Sequence, residues 1–158
     1  MKAKVKIIWA YSSEIILAGA LTILTCRIYG LSETAKFVSI ISTDVAAYVF
    51  SILLGGGLAL IWTIFSKIDS PFYSWLASKG GLSTFLRAFG YVIVIELTSV
   101  IFSILSKTVS NESFLIASAF IMFIGAINGL TMIANIFDLI KLNILFEKIK
   151  HTSTHNNF

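Results

Sequence analysis

Charge is what this chain of 158 residues has least of: Asp, Glu, Lys and Arg together make up 13% of it. Ordinary soluble domains carry about 25%, so there is too little polar surface here to coat a water-soluble fold. Cysteine occurs once, at Cys26, which excludes an intramolecular disulfide framework and leaves a small buried thiol near a helix end. Catalytic signatures are also missing. The chain has no HExxH, no CxxC pair and no nucleophile beside a base, so nothing in it points to an enzyme or a cofactor. The glycine run in LLGGGLAL (Gly55, Gly56, Gly57) lacks the lysine and acidic companions of a nucleotide loop, and is expected to allow a kink or close helix packing.

What is there is hydrophobic. Apolar residues make up 57% of the chain and the mean hydropathy is +0.91. About 20 helical residues cross a bilayer, and hydropathy separates long unbroken runs at residues 7–29, 37–65, 84–106 and 113–137. Long runs favour helices over the short alternating segments of a membrane barrel. The expected fold is therefore an all-α integral membrane four-helix bundle. Ser12, Ser13 and Glu14 interrupt the first run, so it is expected to stay as an uncleaved span rather than to serve as a signal peptide.

The formal net charge of +4 does not indicate nucleic-acid binding, because the basic residues form no stripe. Their placement reads as membrane topology. Lys2, Lys4, Lys6, Lys67, Lys79, Arg87, Lys141, Lys148 and Lys150 gather on one side, against Arg27, Lys36 and Lys107 on the other. The positive-inside rule then puts both termini and the middle loop in the cytoplasm. The outer loops, 30–36 and 107–112, are short. NES at Asn111 to Ser113 is expected to cap a helix through Asn111 or Ser113 rather than to accept a glycan.

On the inner side, KIDSPFYSWLASKGG reads as a short interfacial helix with Ser70 as N-cap, Pro71 at the first helical position and Gly80 just past the end. Phe72, Trp75 and Leu76 share one of its faces. Beyond the fourth span, FDLIKLNILFEKIK keeps Leu142, Leu145, Phe146 and Ile149 on one stripe. A helical extension over 138–150 is expected, with its stripe covered by the 70–80 helix, by a second protomer or by a cytoplasmic partner. Residues 151–158 are expected to be a disordered tail. His151 and His155 lack a third ligand, so no metal site is expected.

Polar groups inside spans cost several kcal/mol (~2.5 to 3.5 on insertion scales) unless partnered, so Glu14, Asp44, Glu96 and Asp138 are the candidates for function. Counting helical rise puts Glu14 in the inner half of its span and Asp44 in the outer half of its own. The expected ion pairs are Glu14 with Arg87 and Asp44 with Arg27. Glu96 falls near the midplane without a cation at its depth, and is expected to be neutral and hydrogen-bonded, facing Gly125 and Asn128. Gly125 and Gly129 have the GxxxG spacing of a close helix seam, either within one bundle or between protomers. Asn128 and Asn135 share a face, with Asp138 close to it.

The functions compatible with these residues are an oligomeric sensor or scaffold that recruits a cytoplasmic protein, a small ion or proton channel, and an immunity protein. Colicin immunity proteins resemble the chain in size, span number and orientation. MKAKVK before the first span, DSPFYSWLASKGG on the inner side and the extended FDLIKLNILFEKIK resemble the KwaA family, the membrane subunits of the bacterial Kiwa anti-phage defence system. The similarity covers most of the chain as a pattern of spans. It implies an inner-membrane homo-oligomer, a tetramer, that senses phage-caused membrane disturbance and works with the DNA-binding KwaB protein in the cytoplasm. It assigns no functional residue.

Overall fold

A computed structural model describes the backbone of residues 2–155 and the side chains of residues 12–152. Every regular element in that range is helical: α1 (Lys2–Tyr29), α2 (Leu31–Val45), a π-helical turn (Ala46–Phe50), α3 (Ser51–Ser66), α4 (Pro71–Ser78), α5 (Gly81–Leu105) and α6 (Glu112–His155). Four stretches are long and apolar enough to cross a membrane: Ser12–Tyr29, Leu31–Ser66, Gly81–Leu105 and Glu112–Thr152. The side chains on their outer faces, such as Ile16, Ile23, Trp62, Val94 and Leu130, are exposed. That much bare apolar surface suits hydrocarbon and not water.

Two boundaries differ from the sequence reading. The loop expected over 30–36 shrinks to one residue, Gly30, whose φ of +84° only glycine adopts readily. Its N–H donates to the Cys26 carbonyl at 3.0 Å and its own carbonyl accepts from Thr34 Oγ1 at 2.7 Å, so both sides of the corner are satisfied and α2 starts at once. At the other end, α6 continues without a break through residues 151–155, which were expected to be disordered. The remaining residues, 156–158, lie outside the described range.

The second span is one path with an irregularity, but not at the triple glycine. The π turn precedes Gly55, while Gly55 and Gly56 face open space and a Cβ on Gly57 would sit 3.4 Å from Ile93 and Met132. Of the two expected roles, close packing applies, at Gly57 alone. The punctuation of α4 is as expected: Ser70 Oγ accepts from the Tyr73 N–H at 3.5 Å, Pro71 opens the helix, and Gly80 follows it with φ of +72°. Asn111 Oδ1 accepts from the Phe114 N–H at 3.0 Å and so caps α6.

α6 lies against α1, α2 and α5. Ser99 lies by Gly125 and Glu96 by Gly129, so α5 and α6 run antiparallel. Phe50 lies by Gly125, Leu53 by Gly129 and Gly57 by Met132, so α3 runs parallel to α6. Two apolar clusters line this central helix. One joins Ala35, Val38, Phe50, Leu115, Ala119 and Met122; the other joins Ile64, Phe89, Val92, Met132 and Leu139 with Phe72, Leu76 and Leu82. Between the Met122 and Met132 levels the buried side chains include Glu14, Glu96, Ser99 and Asn128.

Candidate functional site: a polar layer on one turn of the central helix

The stretch of α6 between the apolar clusters carries Gly125 and, on the next turn, Asn128, Gly129 and Thr131. Glu14 of α1 is 7% exposed and reaches it from one side. Asn128 Nδ2 donates to Glu14 Oε2 at 2.7 Å, and Thr131 Oγ1 donates to Glu14 Oε1 at 2.9 Å. From the other side comes Glu96 of α5, fully buried, with Oε1 3.5 Å from where a Cβ on Gly129 would stand. Two carboxyl groups thus flank a single turn of α6. Their depths, expected to differ, are nearly the same.

Glycine makes this approach feasible. A Cβ at Gly125 would lie 2.5 Å from Ser99 Oγ and 2.7 Å from the Phe50 ring; one at Gly129 would lie 2.5 Å from a Leu53 methyl. With no side chain there, Ser99 Oγ donates to the Ile121 carbonyl at 3.3 Å. The Gly125–Gly129 seam is therefore used inside this chain's own bundle. Glu96 faces Gly129, one turn along α6 from the expected Gly125 level.

The two carboxyl groups differ chemically. Glu14 has a donor for each oxygen, which offsets much of the cost of burying it. Among the described residues, neither oxygen of Glu96 has a hydrogen-bond partner, and the same holds for Asn128 Oδ1 and Ser103 Oγ. The hydrogen bond expected of Glu96 is not made. Buried polar groups without partners are rare, and each calls for a proton, an ion, a water or a second conformation to satisfy it.

Neither expected ion pair closes. Arg87 is exposed on α5, and so are Arg27 on α1 and Asp44 on α2. Helical rise explains both cases. Arg87 is about 13 Å along its helix from Glu96, the level at which Glu14 sits. With a one-residue corner at Gly30, Arg27 and Asp44 lie roughly 16 Å apart in depth, beyond the reach of either side chain. Asn135 is half-buried below the layer. Asp138 leaves it, pairing at 3.4 Å with Lys141 on the surface, both side chains more than half exposed.

Sequence reasoning missed Thr131, Ser99 and Ser103. A signal was present. Val92, Glu96, Ser99 and Ser103 recur at spacings of three and four along α5, which puts the carboxyl and the serines on the buried stripe.

The apolar surfaces of α4 and the α6 extension meet each other. The Phe146 ring lies 5.8 Å from Phe72 and 5.4 Å from Trp75; Leu142 packs on the same cluster, and Leu76 is buried in it. Outside this contact, Leu145 and Ile149 are 49% exposed and Ile144 is 53% exposed. Compared with protein-family models, curated proteins and solved structures, the chain matches none, so the reading of the site rests on this geometry.

Proposed function

We propose that this protein is a non-enzymatic sensor and scaffold of the bacterial inner membrane. In this reading it is a homo-oligomer, a tetramer, with both termini in the cytoplasm, and it recruits a cytoplasmic protein through the far part of α6. The observation that carries the reading is the continuity of α6: one unbroken helix leads from the polar layer at Asn128 to His155, about 40 Å at the usual rise. A shift of that helix at the Gly125–Gly129 seam is delivered undamped to the cytoplasmic end. Such a device needs two packings of similar energy, and Glu96, lacking a partner in this arrangement, is the group whose satisfaction differs between them. The resemblance to the KwaA family adds the signal, phage-caused membrane disturbance, and the partner, DNA-binding KwaB.

The test uses the full chain in cells with its neighbouring gene. Glu96→Gln is expected to leave membrane expression intact and to remove the response to phage challenge; Ile144→Glu with Leu145→Glu is expected to remove co-purification of the cytoplasmic partner. A response and a complex untouched by all three changes would rule the reading out. Unpartnered Glu96 oxygens favour a proton channel as the second reading, for which liposomes containing the protein would show a conductance that Glu96→Gln abolishes.

A further inference from the structure

A separate feature lies nearer the Gly30 corner. Between α1, α2 and α6 runs a groove of about 290 Å³, lined by Val38, Ile41, Val45, Ala119, Met122 and Ala126 among others. Thr25, Thr34 and Phe37 line its neck and also line a second hollow of about 380 Å³ that reaches Tyr29 and Glu33. The two hollows therefore adjoin at these three residues, on a path from the Gly30 corner inward.

Its chemistry changes along that path. In the deep part no side chain offers a free hydrogen-bonding group, because the neck threonines turn theirs back on the helix backbone: Thr25 Oγ1 donates to the Leu21 carbonyl and Thr34 Oγ1 to that of Gly30. Water there would find no partner, whereas a hydrocarbon chain would lose nothing. Three consecutive aspects of α6, Ala119, Met122 and Ala126, form the floor, and the two alanines leave the width for a chain. At the mouth stand the Tyr29 phenol and the Glu33 carboxylate. Arg27 and Lys36 stand on the far sides of α1 and α2 from the residues that line the groove, at about 100° of rotation per helical residue. The mouth therefore presents a carboxylate and a phenol, which complement the ammonium of an amine headgroup.

We propose that this groove is a binding site for one acyl chain of an amine-headed phospholipid, phosphatidylethanolamine in chemical class. Side chains of a second copy of this chain are the competing occupant. The site lies apart from Glu96, so the reading of that residue can fail without affecting this one.

The experiment is native mass spectrometry of the full chain, released from mild detergent supplied with equal amounts of phosphatidylethanolamine and phosphatidylglycerol. One retained phospholipid per protomer is expected, with the ethanolamine form favoured about threefold, the range of an exposed charge contact. Ala126→Phe puts a ring into the floor and should cut retention roughly tenfold, as overpacking does. Glu33→Gln, an exposed change that spares the fold, should erase the headgroup preference while leaving chain retention in place. Equal retention by Ala126→Phe and the unaltered protein would overturn the proposal. So would a lipid-free dimer that Ala126→Phe dissociates, since the groove would then hold protein.

Discussion

The two buried glutamates make opposite demands on their surroundings. Glu14 accepts from Asn128 and Thr131, so replacing it strands the buried Asn128 amide, while the Thr131 hydroxyl still has the Ile127 carbonyl to donate to; replacing Glu96, which has no donor among the described residues, strands nothing. Glu14→Leu is therefore expected to destabilise the bundle by about 1–3 kcal/mol and Glu96→Leu to be neutral or stabilising, as read by unfolding in detergent. The pair Glu14→Ala and Asn128→Ala should show a coupling of roughly 0.6–1.7 kcal/mol in a double-mutant cycle, the range seen for hydrogen bonds between membrane helices. Equal losses at Glu14 and Glu96 would contradict this assignment. The glycines should separate as well. At Gly125 a methyl meets Ser99 Oγ, Ser99 Cβ and the Phe50 ring, on side chains that are themselves fully buried; at Gly129 it meets mainly the flexible end of Leu53. Gly125→Ala should cost about 1–3 kcal/mol and Gly129→Ala clearly less, measured by the same melts.

Among the helices, α4 is held by its aromatic contacts more than by its length. It spans eight residues, too few to be stable alone, and it docks through Phe72, Trp75 and Leu76 on Phe146 and Leu142 of α6. Phe146→Ala removes that platform. Trypsin should then cut at Lys67 and Lys79, on either side of α4, several times faster, with the spans themselves still protected. Burial also pushes the Tyr73 phenol up from its ordinary range. The protonated phenol is the form the fold favours, so its contribution is full below about pH 10 and is lost as pH rises through the raised value. Tyr73→Phe is expected to flatten the alkaline loss of α4 protection and to remove one high-pH phenolate step from an ultraviolet titration. If neither curve changes, Tyr73 is not the group responsible.

Taken together, the spans and the long last helix yield a protein whose extra-membrane surface sits on one side, if the basic residues are followed. Single-cysteine labelling in a Cys26→Ser background tests this. Cysteines replacing Ser78 and Thr152 should react with an impermeant thiol reagent only after the inner membrane is opened, and one replacing Ser110 should react before. The reverse pattern would turn the molecule over and, with it, the side from which α6 could meet a partner.

Hydropathy along the chain was sufficient for the spans, because membrane insertion depends on summed transfer free energies of consecutive residues. Local chemistry was sufficient for the Ser70, Pro71 and Gly80 signals of α4, since a cap involves only its neighbours. The ion pairs expected for Glu14 and Asp44 could not be judged that way. They depended on the axial offset between helices, and for Arg27 and Asp44 that offset turns on whether the first connection is a loop or the single residue Gly30. The partners of Glu14, the level at which Glu96 meets Gly129, and the use of the glycine seam inside one chain were likewise decided only in the tertiary structure. Periodicity tells which face of a helix is buried; the rotation and sliding of one helix against another come from how side chains of distant segments interlock.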